Sequence, residues 1–313
     1  MKALNQTNST GLPLLDAIRR VVAVTAVGLA VSSLTGCERL ALHKRAVNKT
    51  ILAPHVMNAS LDELNGQLAA QYAAVHTLSA KVNIKVSTGG KAEGEVTEVI
   101  PLFSGFILMR KPSDLRTILQ LPVVGSLALD MVSDGKTFKL VVPPKRIARE
   151  GSEELVTQSA KGFENLRPNV IRDALLVPPV GDDEFVSETQ DARILPPAPG
   201  KKVSTEEPDY DLTVTRRKTG NELQTIRVTH ISRVTLKPYQ QDIYDTTGHL
   251  VEIVKYDKYQ KFGGIDFPMS ISIEMPIYEY SLQIDITRLT LNQDMDDEQF
   301  KFNFPEGIPI QKM

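Results

Sequence analysis

The chain of 313 residues carries 36 basic and 38 acidic side chains, 42% apolar residues, one cysteine and no tryptophan. A near-neutral balance without basic clusters excludes the usual nucleic-acid reader, whose footprint is a strongly positive face. A single thiol excludes a disulfide framework, so the fold must be held by its apolar core.

The first element is a leader. Lys2, Arg19 and Arg20 precede the apolar run Val21 to Val31, and Ser32 and Ser33 lead into Leu34-Thr35-Gly36-Cys37. That run is too short to cross a hydrocarbon layer of ~30 Å as a helix, and it reads as a removable signal over residues 1–36. The tetrapeptide resembles a bacterial lipoprotein box, which implies that Cys37 is the lipidation site and the first mature residue. Palmitate-type acyl chains there would anchor the protein, at ~0.8 kcal/mol per buried methylene, without a membrane span. Glu38 follows where aspartate would imply inner-membrane retention, so the implied location is the outer membrane, facing the periplasm. The leader holds three basic residues and one acidic residue, so its removal moves the formal charge from −2 to −4.

Residues 37–59 read as a polar, mildly basic tether, and a single domain is expected over 60–313. Ser60-Leu61-Asp62-Glu63 matches a capping box, and Leu61, Leu64, Leu68, Tyr72 and Val75 form one apolar helical stripe. From Val82 the pattern changes to period two, Val82, Ile84 and Val86 against Lys81, Asn83 and Lys85, which predicts a strand. An antiparallel meander is expected to about Glu150: a strand from Glu93 to Ile100, a break at Pro101, and a strand from Gly105 to Lys111 that is apolar on both faces. Leu115 to Leu121 and Leu127 to Met131 follow, then a hairpin at Ser133-Asp134-Gly135-Lys136 with Phe138, Leu140 and Val142 returning.

The helix-then-meander order, the strand Phe106 to Arg110 before Lys111-Pro112 and Leu115-Arg116, the Ser133 to Lys136 turn with Phe138, and the later Tyr244-Asp245-Thr246-Thr247-Gly248 with Leu250 resemble the LolA/LolB-like lipoprotein-localisation fold over residues 60 to 305. The resemblance implies an α+β fold, mainly antiparallel β, in which an incomplete β-barrel encloses or packs on a few α-helices and takes up acyl chains between them. Candidate cavity residues are Phe106, Leu108, Ile118, Leu129, Phe138, Leu140, Phe163 and Leu175. In place of the family's protruding apolar loop the nearest segment is Leu121-Pro122-Val123-Val124-Gly125.

Two short helices separated by Pro168 are expected across about 152–177, either covering the open mouth of the sheet or plugging its core. At most one short strand is expected near Glu184 to Thr189, followed by a proline-bearing loop over about 190–209. Strands resume from Asp211, with Ile226, Val228, Val234 and Leu236 on one face of the next strand and a turn at Thr247-Gly248. Phe300 to Pro305 reads as a terminal apolar tag packed across an edge.

No nucleophile elbow, phosphate-binding loop or zinc motif occurs, and His43, His55, His76, His230 and His249 lack ligand spacing. His230 in its strand reads as a partly buried structural histidine, and Asp294 to Glu298 as a solvated cap. The expectation is a non-enzymatic envelope lipoprotein without cofactor or metal that binds lipid or an acylated protein. A scaffold or protein-interaction module on the same fold, with an unidentified envelope partner, is the alternative.

Overall fold

The computed structural model describes residues 50–89, 98–153 and 167–312. Among them, fifteen strands join one sheet, and two α-helices lie against it. In chain order these are β1 (Thr50–Leu52), α1 (Leu61–Ala74), β2 (Thr77–Thr88), β3 (Glu98–Arg110), β4 (Asp114–Gln120), β5 (Leu127–Ser133), β6 (Thr137–Val142), β7 (Ile147–Ser152) and α2 (Pro168–Leu175). Then come β8 (Glu184–Leu195), β9 (Ser204–Arg217), β10 (Leu223–Ser232), β11 (Pro238–Tyr244), β12 (Leu250–Phe262), β13 (Ile265–Met275), β14 (Tyr280–Leu291) and β15 (Ile310–Lys312).

Strands β9 to β14 form a meander that meets a second meander, β2 to β7, through the antiparallel β14–β2 pair. β8 lines one end of the sheet by pairing with β9, and β15 lies parallel to β7 at the other. These ends do not pair with each other, so the sheet curves without closing. The expected incomplete barrel of α+β class is the architecture found.

Curvature gives the sheet an inner and an outer face. Register places Leu212, Thr229, Gln241, Val254, Ile273, Leu282 and Val86 in one transverse inner row across β9 to β14 and β2. Most inner positions are buried and apolar, as the alternation in β2 requires: Leu78, Ala80, Val82, Ile84 and Val86 are all buried, while Lys81 and Lys85 face water. A smaller cluster of Leu64, Tyr210, Leu212 and Ile231 seats α1 on β9 and β10. The α1 capping box is complete: Glu63 donates its backbone N–H to the Ser60 hydroxyl, and the Ser60 N–H donates to the Glu63 carboxylate at 2.7 Å.

Two expectations are corrected. β3 does not break at Pro101 but runs through it, because the β2–β3 register skips there. Ile84 opposes Phe103 and Val86 opposes Ile100, so Pro101 falls in a bulge where a missing N–H costs no ladder bond. The stretch 190–209 is not a loop, since β8 and β9 pair from Glu184↔Arg216 to Leu195↔Thr205, leaving only 196–203 as the connection. Cross-strand pairs Arg193–Glu207 and Arg216–Glu184 match opposite charges along this hairpin. The second of the two expected short helices is found at Pro168, with the proline at its first position, where its missing N–H is harmless. The helix expected before it, residues 93–97 of the strand expected from Glu93, Phe163, the leader and Cys37 lie outside the described residues.

The predicted hairpins are present. Asp134 accepts from the backbone N–H groups of Lys136 and Thr137 at 2.9 and 2.7 Å, and Gly135 takes φ +86°. The C-terminal segment crosses the outer face of the β4 side. Phe300 lies under Arg110, whose guanidinium carbon is 4.8 Å from the ring centroid, and the Gln299 carbonyl accepts from Arg116.

Candidate functional site

The inner face carries two recesses divided by α2 and the segment that follows it. The first is a cavity of about 130 Å³ among β2 to β6 and β14, with Ile84, Phe103, Leu119, Leu129 and Leu140 on its walls and Ile171 of α2 closing one side. Its lining is almost wholly apolar. Thr117 is the exception: it is buried, and its Oγ1 has no hydrogen-bond partner. Lys145 stands at the rim. The second recess is a groove of about 280 Å³ between α1, the segment Val177 to Val180 and strands β9 and β10, with Leu68, Leu212 and Val214 facing Arg227 and Thr229.

Polar clamps hold α2 between them. Arg172 donates to both Glu153 carboxylate oxygens, at 2.9 Å and 3.3 Å, and to the Ser113 carbonyl at 3.3 Å. The Ser133 hydroxyl also donates to Glu153, so the carboxylate at the end of β7 is tied to the β5–β6 turn as well. Beyond the helix, Arg227 donates to the carbonyls of Pro178 and Pro179 at 3.1 and 3.0 Å. These charged hydrogen bonds are the stronger kind, and they fix the helix over the sheet.

Of the predicted cavity residues, Leu129 and Leu140 line the cavity, while Phe138 and Leu175 are buried in the surrounding core. Phe106, Leu108 and Ile118 are placed elsewhere. Phe106 opposes Ile118 across β3 and β4, and both point to the outer face, where Phe106 is 44% exposed. The physical reason is the strand's period of two: Phe103, Gly105, Ile107 and Met109 take the inner side, so their neighbours cannot. Both faces of β3 are apolar, and composition alone did not say which was inside. Gly105 is fixed by its neighbour: a Cβ there would meet the Ile118 carbonyl oxygen at 1.9 Å.

Sequence reasoning missed Arg227, Thr229, Gln241 and Glu252. A register shift between Thr225 and Arg227 turns Arg227, Thr229 and Ile231 inward and sends Val228 outward, contrary to the expected apolar face of β10. Burial pushes the Glu252 carboxyl up to about 8, with Asp173 of α2 adding repulsion, so it is neutral near pH 7. Tyr256, further along the inner face of β12 beyond Val254, is likewise raised by burial, and its hydroxyl accepts from the Gln241 side chain.

His230 lies on the outer face. Its Nδ1 is 2.6 Å from Asp211 and its Nε2 is 3.3 Å from Asp242. Burial pulls its pKa down, but the two carboxylates outweigh that and leave it raised. Among the described residues no group of histidine, cysteine and carboxylate side chains is arranged to hold a metal ion.

Fold and site together define a class: an open, curved antiparallel sheet whose inner face keeps unfilled apolar space beneath a clamped helix. No family model matches the chain, and no curated protein sequence matches it. Its structure is similar to that of a LolA superfamily protein from Nitrosomonas europaea, with 12% identity, 78% of this chain and 99% of that chain covered, and a TM-score of 0.48. It is also similar to a DUF1329 family protein from Desulfovibrio piger ATCC 29098, with 16% identity, 76% and 94% covered, and a TM-score of 0.48.

Proposed function

We propose that this chain is an envelope lipoprotein, held at the outer membrane by acyl groups on Cys37, whose inner face receives the acyl chains of lipids or of lipid-modified proteins in the periplasm. The observation that carries this reading is the unfilled apolar cavity behind Ile171. A native interior is packed to crystal-like density, and a void this size is unusual unless something occupies it. Engineered apolar cavities of ~150 Å³ stay dry and take up benzene-sized guests, so the space as it stands holds a few methylenes. Each methylene removed from water contributes ~0.8 kcal/mol. A longer chain needs α2 displaced, which the polar clamps on Arg172 and Arg227 make reversible, because their charged groups can regain water when released.

The test is native mass spectrometry of the protein after gentle extraction. Co-bound lipid or lipopeptide is expected, at a stoichiometry that falls when Ala128, on the cavity wall, is enlarged to Ile. A ligand-free spectrum under conditions that keep other lipid carriers loaded would remove the reading. The alternative use of the fold, as a protein-interaction module, draws support from Leu102 and Phe106, which are exposed on the outer face at 40% and 44%. Cross-linking through that face to one stoichiometric protein, unaffected by Ala128→Ile, would favour it.

A further inference from the structure

The end of the sheet at which the chain enters is apolar on both faces. β1 lies parallel to β9, with Thr50 opposite Ser204, the first residue of that strand. Leu52, Glu206 and Ile194 form one transverse row across β1, β9 and β8, so their side chains share a face. Ile51, Thr205 and Leu195 form the adjacent row, on the other face. Ile51, Leu52 and Ile194 are 57%, 63% and 58% exposed. Single exposed aliphatic side chains are ordinary, but three at one sheet end make a patch that calls for a partner. The β8–β9 connection at the same end carries Lys201 and Lys202, both exposed.

Position and charge say what covers this patch. The segment Glu38 to Lys49 separates Cys37 from Thr50 and reaches at most about 40 Å. It holds Arg39, Lys44, Arg45 and Lys49 against Glu38. On the sheet end itself, Lys201 and Lys202 stand against Glu206, because Glu207 is already paired with Arg193 at 2.7 Å. Aliphatic side chains flanked by cations suit a bilayer surface with anionic head groups, where the former enter the acyl boundary and the latter meet phosphate. We propose that this end of the sheet rests on the anionic phospholipid surface to which the protein is anchored. Ile51, Leu52 and Ile194 enter the head-group layer, and Lys201 and Lys202 face its phosphates. This rests on the acyl anchor of the reading above and adds the face by which the domain meets the membrane. An acyl anchor alone limits distance, whereas a second contact also sets orientation. β9 runs away from this end for 14 residues, so Leu223, opposite Arg217, stands about 40 Å off. That is far beyond the ~8 Å over which surface charge acts at physiological salt.

The experiment uses the acylated protein, extracted from membranes and reconstituted into vesicles, with a polarity-sensitive fluorophore on one introduced cysteine. Ile51→Cys and Ile194→Cys report the proposed face, and Leu223→Cys is the distant control. Acyl groups on Cys37 block its thiol, and the intact mass checks that they are present. In vesicles of phosphatidylcholine and phosphatidylglycerol, the labels at 51 and 194 should emit at shorter wavelength. Spin-labelled lipid should quench them at least about threefold more than the label at 223. Vesicles of phosphatidylcholine alone should remove most of that excess, as should the double variant Lys201→Glu, Lys202→Glu, while the protein still floats with the vesicles. Flotation with water-like emission at 51 and 194 overturns the membrane face and leaves the anchor standing, as does equal quenching at all three positions. Excess quenching that survives both the lysine reversal and the neutral vesicles overturns the anionic surface as the partner. A mass without acyl groups, together with no flotation, overturns anchor and face alike.

Discussion

At the scale of single residues, the buried carboxyl of Glu252 sets a pH dependence. Its ordinary value is 4.5 and its value in the fold is about 8. Below pH 4.5 it is protonated whether the chain is folded or not, and it costs nothing. Between 4.5 and 8 the unfolded chain gives up the proton while the folded one keeps it, so stability falls as pH rises, on the order of a few kcal/mol in all. His230, whose pKa is also raised, loses stability in the same direction but only above its ordinary range near 6.5. Asp173 and Asp209 are also raised by burial, so the carboxyl is read from the difference between two proteins: in urea melts between pH 5 and 6.5 Glu252→Gln should lose clearly less stability than the wild type. Equal slopes would mean that Glu252 is charged in the fold.

Two further outcomes belong to this scale. Gly135→Ala should cost about 2–4 kcal/mol in the same melts, because φ is positive and the new Cβ would stand 2.3 Å from that of Ser113. Glu153→Ala leaves Arg172 with only the looser Asp173 carboxylate at 3.5 Å and Ser133 without its acceptor, and should cost about 2–4 kcal/mol. Arg172→Met in that background should recover part of the loss, whereas a purely additive result would argue against coupling. None of these partners was legible in the sequence, because they meet from β7, α2 and a turn. The Asp134-Gly135 turn was legible, since its hydrogen bonds close within four residues.

Elements differ in how much of themselves they carry locally. α1 was readable from its capping box and stripe, and the strands of β2 from clean alternation. β8 and β9 were readable only in part, near Glu184 to Thr189 and from Asp211 to Arg217, because their alternating charges find partners only across the hairpin, and prolines on either side of Lys201 looked like a loop. Pro101 and the shift at Thr225 show the same limit: a bulge inverts the face of everything beyond it, and nothing in the local pattern marks it. That is why Arg227 was not expected inside, whereas Phe106 and Ile118 were misplaced because both faces of β3 are apolar. For α2, the sequence offered an apolar-faced helix, and only the fold shows Ile171 closing a void. Ala128→Ile, which adds three heavy atoms to that void, should lower fatty-acid affinity at least about tenfold while the melting temperature stays level or rises, since filling space restores contacts that the lining lacks. A lower melting temperature with unchanged affinity would show that the void collapses rather than binds.

For the whole molecule, the governing fact is that a sheet of this length curves without joining its ends. A closed barrel of few strands fills its own interior with side chains, while an open one must cover its inner face with other elements. Here, among the described residues, two helices do so incompletely, and the space left is divided into an apolar cavity under Ile171 and a groove beside α1 that also meets Arg227 and Thr229. The outer face is organised differently, with ion pairs such as Arg116–Asp130 and the Phe300 to Phe304 segment lying over it. The most direct measurement is therefore one that reports the face on which a chain binds. With carbon-13 palmitate added to methyl-labelled protein, cross-peaks are predicted from the chain methylenes to the methyls of Ile84, Leu129 and Ile171. Cross-peaks to Leu102 and Leu108 instead, or none at saturating palmitate, would contradict the account.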